Sequence, residues 1–173
     1  MNPWLKEKLE SAFSDIQVRI HQADRLIVAV KKDVLLSVLS FLKGNGYEHL
    51  SLISCVDWIA EKQFELVYIL SGYLQEGNDH TEKEKITIIL ETRISRESPE
   101  VLTVTPIFKN AEPYERELHE LFGIHFEGHP RLTPLLLERV YTIPPFRKDF
   151  DTRKYVKDVF EKIPFVEDRT GNT

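Results

Sequence analysis

The chain reads as an α+β protein: a mainly antiparallel sheet with helices packed on one face, continued by an extended C-terminal arm. Three observations predict this. Several short runs alternate apolar and polar residues, the period of half-buried strands. Two longer segments place their apolar residues at helical spacing instead. The order strand, strand, helix, strand, strand, strand with short turns between them belongs to an antiparallel sheet whose helices cover one side.

Trp4, Leu5, Leu9, Ala12 and Phe13 fall on one helical stripe, predicting a short amphipathic helix at the start. Ile16, Val18 and Ile20 alternate with Gln17, Arg19 and His21, and Leu26 to Val30 forms a second strand after the turn Gln22-Ala23-Asp24, so the two make a hairpin. Asp33 is placed to cap a helix from Val34 to Lys43, with Gly44 past its end. That helix is apolar on most sides except Ser37 and Ser40, and so lies flat on the sheet. Leu50 to Val56, Phe64 to Ser71 and Ile86 to Thr92 are three further strands, the last two joined by a polar hairpin loop from Gly72 to Lys85. Val101 to Phe108 is extended or partly helical.

The end differs in character. Pro130, Pro134, Pro144, Pro145 and Pro164 interrupt a segment whose apolar residues are scattered singly among charges of both signs. It cannot build a core of its own. It still carries Leu135-Leu136-Leu137, Tyr141, Ile143, Phe146, Phe150, Tyr155, Phe160 and Phe165, too many for a solvated tail. The expected division is therefore a platform over residues 1–129 and an arm over 130–173 that folds against another protein.

Composition narrows the function classes. The 173 residues, 42% hydrophobic and 29% charged, suit one globular core. A net charge of −5 gives no general nucleic-acid surface. Cys55, the single cysteine, can form no internal disulfide and cannot by itself hold an iron–sulfur cluster; within Leu52-Ile53-Ser54-Cys55-Val56 it reads as a packed thiol on a buried strand. The first eight residues carry charges where a secretory signal needs an apolar stretch, and no run approaches the roughly 20 apolar residues that cross a bilayer.

Residues 106–137, PIFKNAEPYERELHELFGIHFEGHPRLTPLLL, hold the most informative pattern. Pro113 suits a first helical position, Tyr114, Leu118, Leu121 and Phe122 form one stripe, and Gly123 ends the helix. Glu112, Glu115 and Glu117 crowd its positive N-terminal end, where carboxylates are favoured. Arg116, His119 and Glu120 are then expected on the outer face, free for a partner. A metal centre is not expected: His119-Glu120-Leu121-Phe122-Gly123 lacks the second histidine of a zinc-binding helix, and His125 and His129 flank a glycine in a turning segment. His129 before Pro130 is better read as fixing the turn into the arm. Asp57 and Glu61 beside Trp58 could suggest acid–base chemistry, but nothing in the sequence fixes their separation, and no catalytic residue is assigned.

Glu115-Arg116-Glu117, Glu120-Leu121-Phe122-Gly123-Ile124, Phe126, Gly128-His129-Pro130 and Leu132 together resemble the signature of the 30-kDa subunit family of respiratory NADH–quinone oxidoreductase. The approach Phe108 to Tyr114, the pair of pieces Val56-Asp57-Trp58 and Phe64 to Tyr68, and Arg147-Lys148-Asp149-Phe150 are similar to the same family and follow its order, over roughly residues 25–150. Thr133-Pro134 stands where the family usually has a basic pair, and Tyr141 to Phe146 lacks its Gly-containing approach, the mark of a divergent branch.

The resemblance implies a cofactor-free accessory subunit in the hydrophilic arm of a membrane-associated electron-transfer complex. That complex is an NADH-, F420- or ferredoxin-linked quinone oxidoreductase, or a related hydrogenase or sulfur reductase. Iron–sulfur clusters are expected in partner subunits, and the partners are the iron–sulfur and quinone-site or hydrogenase-like subunits. Membrane attachment comes only through them, at the cytoplasmic face. The interface residues it implies are Glu115, Arg116, Glu117, His119, Glu120, His129, Arg131, Arg147, Lys148, Asp149 and Phe150. The alternative is a free-standing small-molecule enzyme on an α+β scaffold, which would need a pocket with convergent polar groups.

Overall fold

The computed structural model describes residues 4–73, 85–137 and 141–159. Helix α1 (Trp4–Ala12) leads into the hairpin β1 (Ile16–Gln22) and β2 (Arg25–Val30), as the alternation requires. A one-turn 3₁₀ helix (Lys32–Val34) precedes α2 (Leu35–Gly44). Asp33 therefore does not cap the helix: it lies within that tight turn, and the residue ahead of α2, Val34, has no side chain that could cap. Gly44 is the last helical residue rather than the first beyond it, and Gly46, with φ +92°, takes the left-handed position.

β3 (His49–Trp58), β4 (Gln63–Tyr73) and β5 (Lys85–Ser95) form an antiparallel meander. Most of the loop expected between β4 and β5 lies outside the described residues. The strand order is β1-β2-β5-β4-β3, with one parallel pairing, β2 beside β5. Since β4 opposes β5 and β3 opposes β4, β2 and β3 run the same way, with β5 and β4 filling the space between them. Helix α2 is the crossover that carries the chain from one to the other, which a parallel pair of strands needs and a tight turn cannot supply.

Phe64, Leu66, Tyr68 and Leu70 of β4 and Ile86, Ile88, Leu90 and Ile94 of β5 point into one core. Leu5 and Leu9 of α1, Leu35, Val38, Leu39 and Leu42 of α2, and Leu118, Leu121 and Phe122 of α3 (Ala111–Phe122) pack into the same core. On the other face of the sheet Ile27, Val67, Ile69 and Ile89 are half-buried and Leu52 and Val56 exposed. Cys55 is half-buried against the core, and burial pushes its thiol up to about 12, with the charge of Asp57 adding to it.

Val101 to Phe108 divides into a short strand, β6 (Glu100–Leu102), and a turn in which the amides of Ile107 and Phe108 both bond the Val104 carbonyl. β6 pairs in parallel with β7 (His125–Glu127). The arm is not extended throughout: Thr152–Val159 forms α4. Tyr141, Phe150 and Tyr155 cluster at its start with edge-on or tilted rings, centroids 5.0–5.8 Å apart. Residues 160–173 of the expected arm lie outside the described residues.

Candidate docking site between helix α3 and the arm

Helix α3 begins two residues earlier than Pro113, which occupies its third position, where a missing N–H still leaves no helical bond unmade. Asn110 precedes the helix but does not cap it. Its amide donates instead to the Leu50 carbonyl at 2.8 Å, and the Tyr114 hydroxyl donates to Ser51 O at 3.0 Å. Those two carbonyls lie where the β3–β4 register slips between Leu50 and Leu52, so α3 satisfies the backbone that the irregularity frees. Gly123, φ +74°, ends the helix as its sequence position predicted. A side chain there would also meet the Arg147 guanidinium and the Pro144 ring, both at 3.0 Å.

The outer-face reading of the helix is corrected. Arg116 is only 8% exposed and Glu115 is fully buried. The Arg116 guanidinium donates to the Thr133 and Pro134 carbonyls at 2.9 and 2.8 Å and pairs with Glu112 at 3.3 Å. What covers it is the first part of this chain's own arm. The Thr133-Pro134 departure from the family's basic pair leaves this joint intact, because the contact uses main-chain carbonyls.

Glu120, half-buried, accepts from three successive amides, Leu135, Leu136 and Leu137, at 3.1, 2.8 and 2.7 Å. Burial raises its carboxyl, but these bonds and the nearby Arg116 charge outweigh it and hold it below the ordinary range. His119 Nδ1–H donates to Ile124 O at 2.8 Å, and Glu117 is half-buried on the same helix. His129 fixes the turn into the arm as expected: Nε2–H donates to Glu112 O at 3.2 Å and Nδ1 accepts the Arg131 amide at 3.0 Å. The exposed Arg131 side chain reaches Glu112 at 3.3 Å.

The closing motif is pinned in the same way. Arg147 donates to the carbonyl of Phe122 at 2.7 Å and lies over the Phe64 ring. Burial pulls its guanidinium below the usual range, and the Arg96 charge adds to that. The Lys148 amide donates to Asp57 at 2.8 Å, and Asp149 pairs with Arg96. Arg96 grips Asp57 with two bonds of 2.9 and 3.2 Å. Burial raises the Asp57 carboxyl, but the Arg96 bond, the Lys148 amide and the Arg96 charge together hold it low. Phe150 closes the aromatic cluster with Tyr141 and Tyr155.

Sequence reasoning missed Arg96 and the burial of Glu115. Arg96 carried no local signal: it reaches Asp57 because the register sets Asp57 opposite Phe64 and Phe64 opposite Ile94. Glu115 did carry one. Ala111, Glu115, Leu118 and Phe122 lie at i, i+4, i+7 and i+11, so its position belongs to the buried stripe.

The charged groups of this region thus bind the arm to the platform, and the arm they hold presents four exposed apolar side chains. Leu136 and Phe146 are each 60% exposed, Ile143 40% and Leu135 39%. Phe146 donates its amide to Leu121 O at 3.0 Å and sets its ring edge-on to Phe122. Among the described residues no group of three or more His, Cys, Asp or Glu is placed to hold a metal, and no helix is long and apolar enough to cross a membrane. The arrangement suits a joint between subunits.

A small sheet platform with an arm pinned across helix α3 is the fold against which the relatives can be compared. The chain belongs to the family described as respiratory-chain NADH dehydrogenase, 30 Kd subunit, matched over residues 28–156. It is 36% identical over 129 residues to the C subunit of the F(420)H(2) dehydrogenase of Methanosarcina mazei, covering 73% of this chain and 76% of that one. It is 29% identical over 159 residues to the C/D subunit of the NADH-quinone oxidoreductase of Blochmanniella pennsylvanica; the match covers 85% of this chain but only 25% of the relative's length. Among solved structures it resembles a chain of the membrane-bound sulfane sulfur reductase, an archaeal respiratory membrane complex, with TM-score 0.81, 26% identity and 98% of each chain covered. It also resembles a trypsin-resistant fragment of Nqo5, with TM-score 0.59, 25% identity, 74% of this chain and 98% of the fragment.

Proposed function

We propose that this chain is a structural, cofactor-free subunit of a membrane-associated oxidoreductase complex, working in the complex's hydrophilic arm at the cytoplasmic face. It docks the neighbouring redox subunits and leaves electron transfer to them. The observation that carries this is the division of labour at the α3–arm joint. Arg116, Glu120, Arg147, Asp57 and Arg96 make their bonds within the chain, while Leu135, Leu136, Ile143 and Phe146 stand exposed on a backbone those bonds hold still. Exposed apolar side chains on a fixed frame are the physical form of a docking surface. The names of the relatives agree, each being a subunit of an oxidoreductase.

The partners are the iron–sulfur subunits and the quinone-site or hydrogenase-like subunits of the same complex, and they supply the attachment to the membrane. Of the eleven interface residues assigned from sequence, Glu115, Arg116, Glu120 and Arg147 act by shaping the joint. Lys148 and Arg131 are exposed and are the better candidates for direct contact.

The test is affinity capture of the tagged chain from detergent-solubilised native membranes, with mass spectrometry and iron analysis. Recovery in equal amounts with iron-containing and integral membrane subunits is the expected result. A clean iron-free monomer from the soluble fraction would overturn the proposal.

A further inference from the structure

Glu115 is fully buried, and its two carboxyl oxygens meet neutral donors. The Val104 amide donates to Oε1 at 2.7 Å, and Oε2 shares one hydrogen with the Thr103 hydroxyl, which lies 2.9 Å from Thr105 Oγ1 and turns its own hydrogen there when Oε2 carries the proton. Arg116, next to it on α3, turns away to the Thr133 and Pro134 carbonyls, and Glu112 turns to Arg116 and Arg131. From β4 comes Tyr68, whose hydroxyl is raised by burial first and by the Glu115 charge second; Cys55 on β3 acts on Tyr68 in turn. From the turn after β7 comes His129, its side chain wholly buried and Nε2 3.9 Å from Glu115 Oε2.

The hydrogen bonds of His129 fix where its proton lies. A backbone amide, Arg131 N–H, donates to Nδ1, so Nδ1 is bare; Nε2 faces the Glu112 carbonyl, so it bears the hydrogen. These bonds define the Nε2–H tautomer. A second proton would have to enter at Nδ1, against the Arg131 N–H, and would break the bond that closes the turn. An ionised Glu115 thus has no counter-charge here without undoing the turn, and a bare carboxylate with only neutral donors is costly at this depth.

We propose that Glu115 keeps its proton in the folded chain and that the Thr103–Glu115–His129 cluster is a pH-sensitive fastening for the turn Gly128–Arg131 at the root of the arm. As pH rises the proton leaves for solvent, and the turn opens to bring water to the carboxylate that the His129 ring covers. Burial drives this carboxyl up to about 7, with the Thr103 and Val104 bonds working against it. The device then acts in the neutral range, where the arm must be held for docking.

The experiment uses the full chain. Infrared spectra of wild type and Glu115→Gln are compared from mildly acidic to mildly alkaline pH, with amide exchange at Arg131 and denaturant unfolding at each pH. A protonated-carboxyl band present at about pH 6, absent from the variant and fading as pH passes through about 7, is expected. Because the folded chain holds this proton more tightly than the unfolded one, the wild-type folding constant, taken relative to that of Glu115→Gln, should fall as pH rises. The fall should reach up to about tenfold per pH unit between the ordinary carboxylate range and about 7, and level off above it. Arg131 exchange should quicken over the same range, after correction for its intrinsic pH dependence, while the variant stays level. Absence of the band, or superimposable stability profiles for the two proteins, would overturn the proposal. If the variant fails to fold, the wild-type infrared titration decides: a band that fades through neutrality supports the fastening, and no such band refutes it.

Discussion

Arg116 shows how far one side chain's role depends on what lies over it. By residue type and position it belonged on the solvent face of an amphipathic helix, yet it is sealed by two carbonyls of its own arm. Arg116→Ala should cost about 2 kcal/mol, the range for hydrogen bonds to a charged group, read by urea unfolding of the isolated chain. The first effect should be faster amide exchange across residues 131–137. Loss of assembly then follows from a loosened arm, and a variant with wild-type exchange there would contradict this account.

Asp57 makes a second residue-scale case. Its carboxyl is held low in the fold, so the stability it contributes is fully present above the ordinary carboxylate range and is lost as pH falls through its lowered value. Asp57→Asn should cost about 3 kcal/mol near neutrality, since Arg96 is left with only Asp149 in a mostly buried place. The gap between variant and wild type should narrow in acid. Denaturation midpoints across the acid range would show a constant gap if the carboxylate's charge were irrelevant.

At the scale of elements, α3 is the hinge of the design because both of its ends and two of its faces are used. Its apolar stripe enters the core, Asn110 and Tyr114 repair the β3 bulge, and its last turn receives Arg147 and Phe146. The helix and its stop at Gly123 were legible from periodicity, because 3.6-residue spacing and a left-handed glycine are local properties. The second buried face was not, because it exists only where residues 133–137 return over it. Gly123→Ala forces a left-handed alanine, about 1–2 kcal/mol, and sets a methyl against Arg147 and Pro144. Phe122→Ala should cost about 3–5 kcal/mol, since its ring meets both Phe64 and Phe146 edge-on. Thermal unfolding ranks the two, with the larger loss expected for Phe122.

For the whole molecule, the sheet and its helices form the platform, and the charged joint presents the arm. The apolar strip is the part that faces outward, so changing it should separate assembly from folding. Leu136→Ser with Ile143→Ser should shift stability by no more than about 0.5 kcal/mol each, as exposed positions do. Capture of neighbouring subunits should fall sharply. Intact capture with both substitutions would move the docking surface elsewhere on the chain.

The sequence by itself determined the five strands of the main sheet, three of the helices, the side of the sheet that is buried and the family, because periodicity and motif order are written in neighbouring residues. It also placed His129 at the turn into the arm, since a histidine before a proline acts locally. Only the tertiary structure decided that β2 lies beside β5, that Arg96 meets Asp57, and that Glu115 and Arg116 face inward. Each of those depends on groups 11 to 60 or more residues apart meeting across the sheet or under the arm. Strand order, and the path by which the arm returns, set those meetings; the periodicity of any one segment does not contain them.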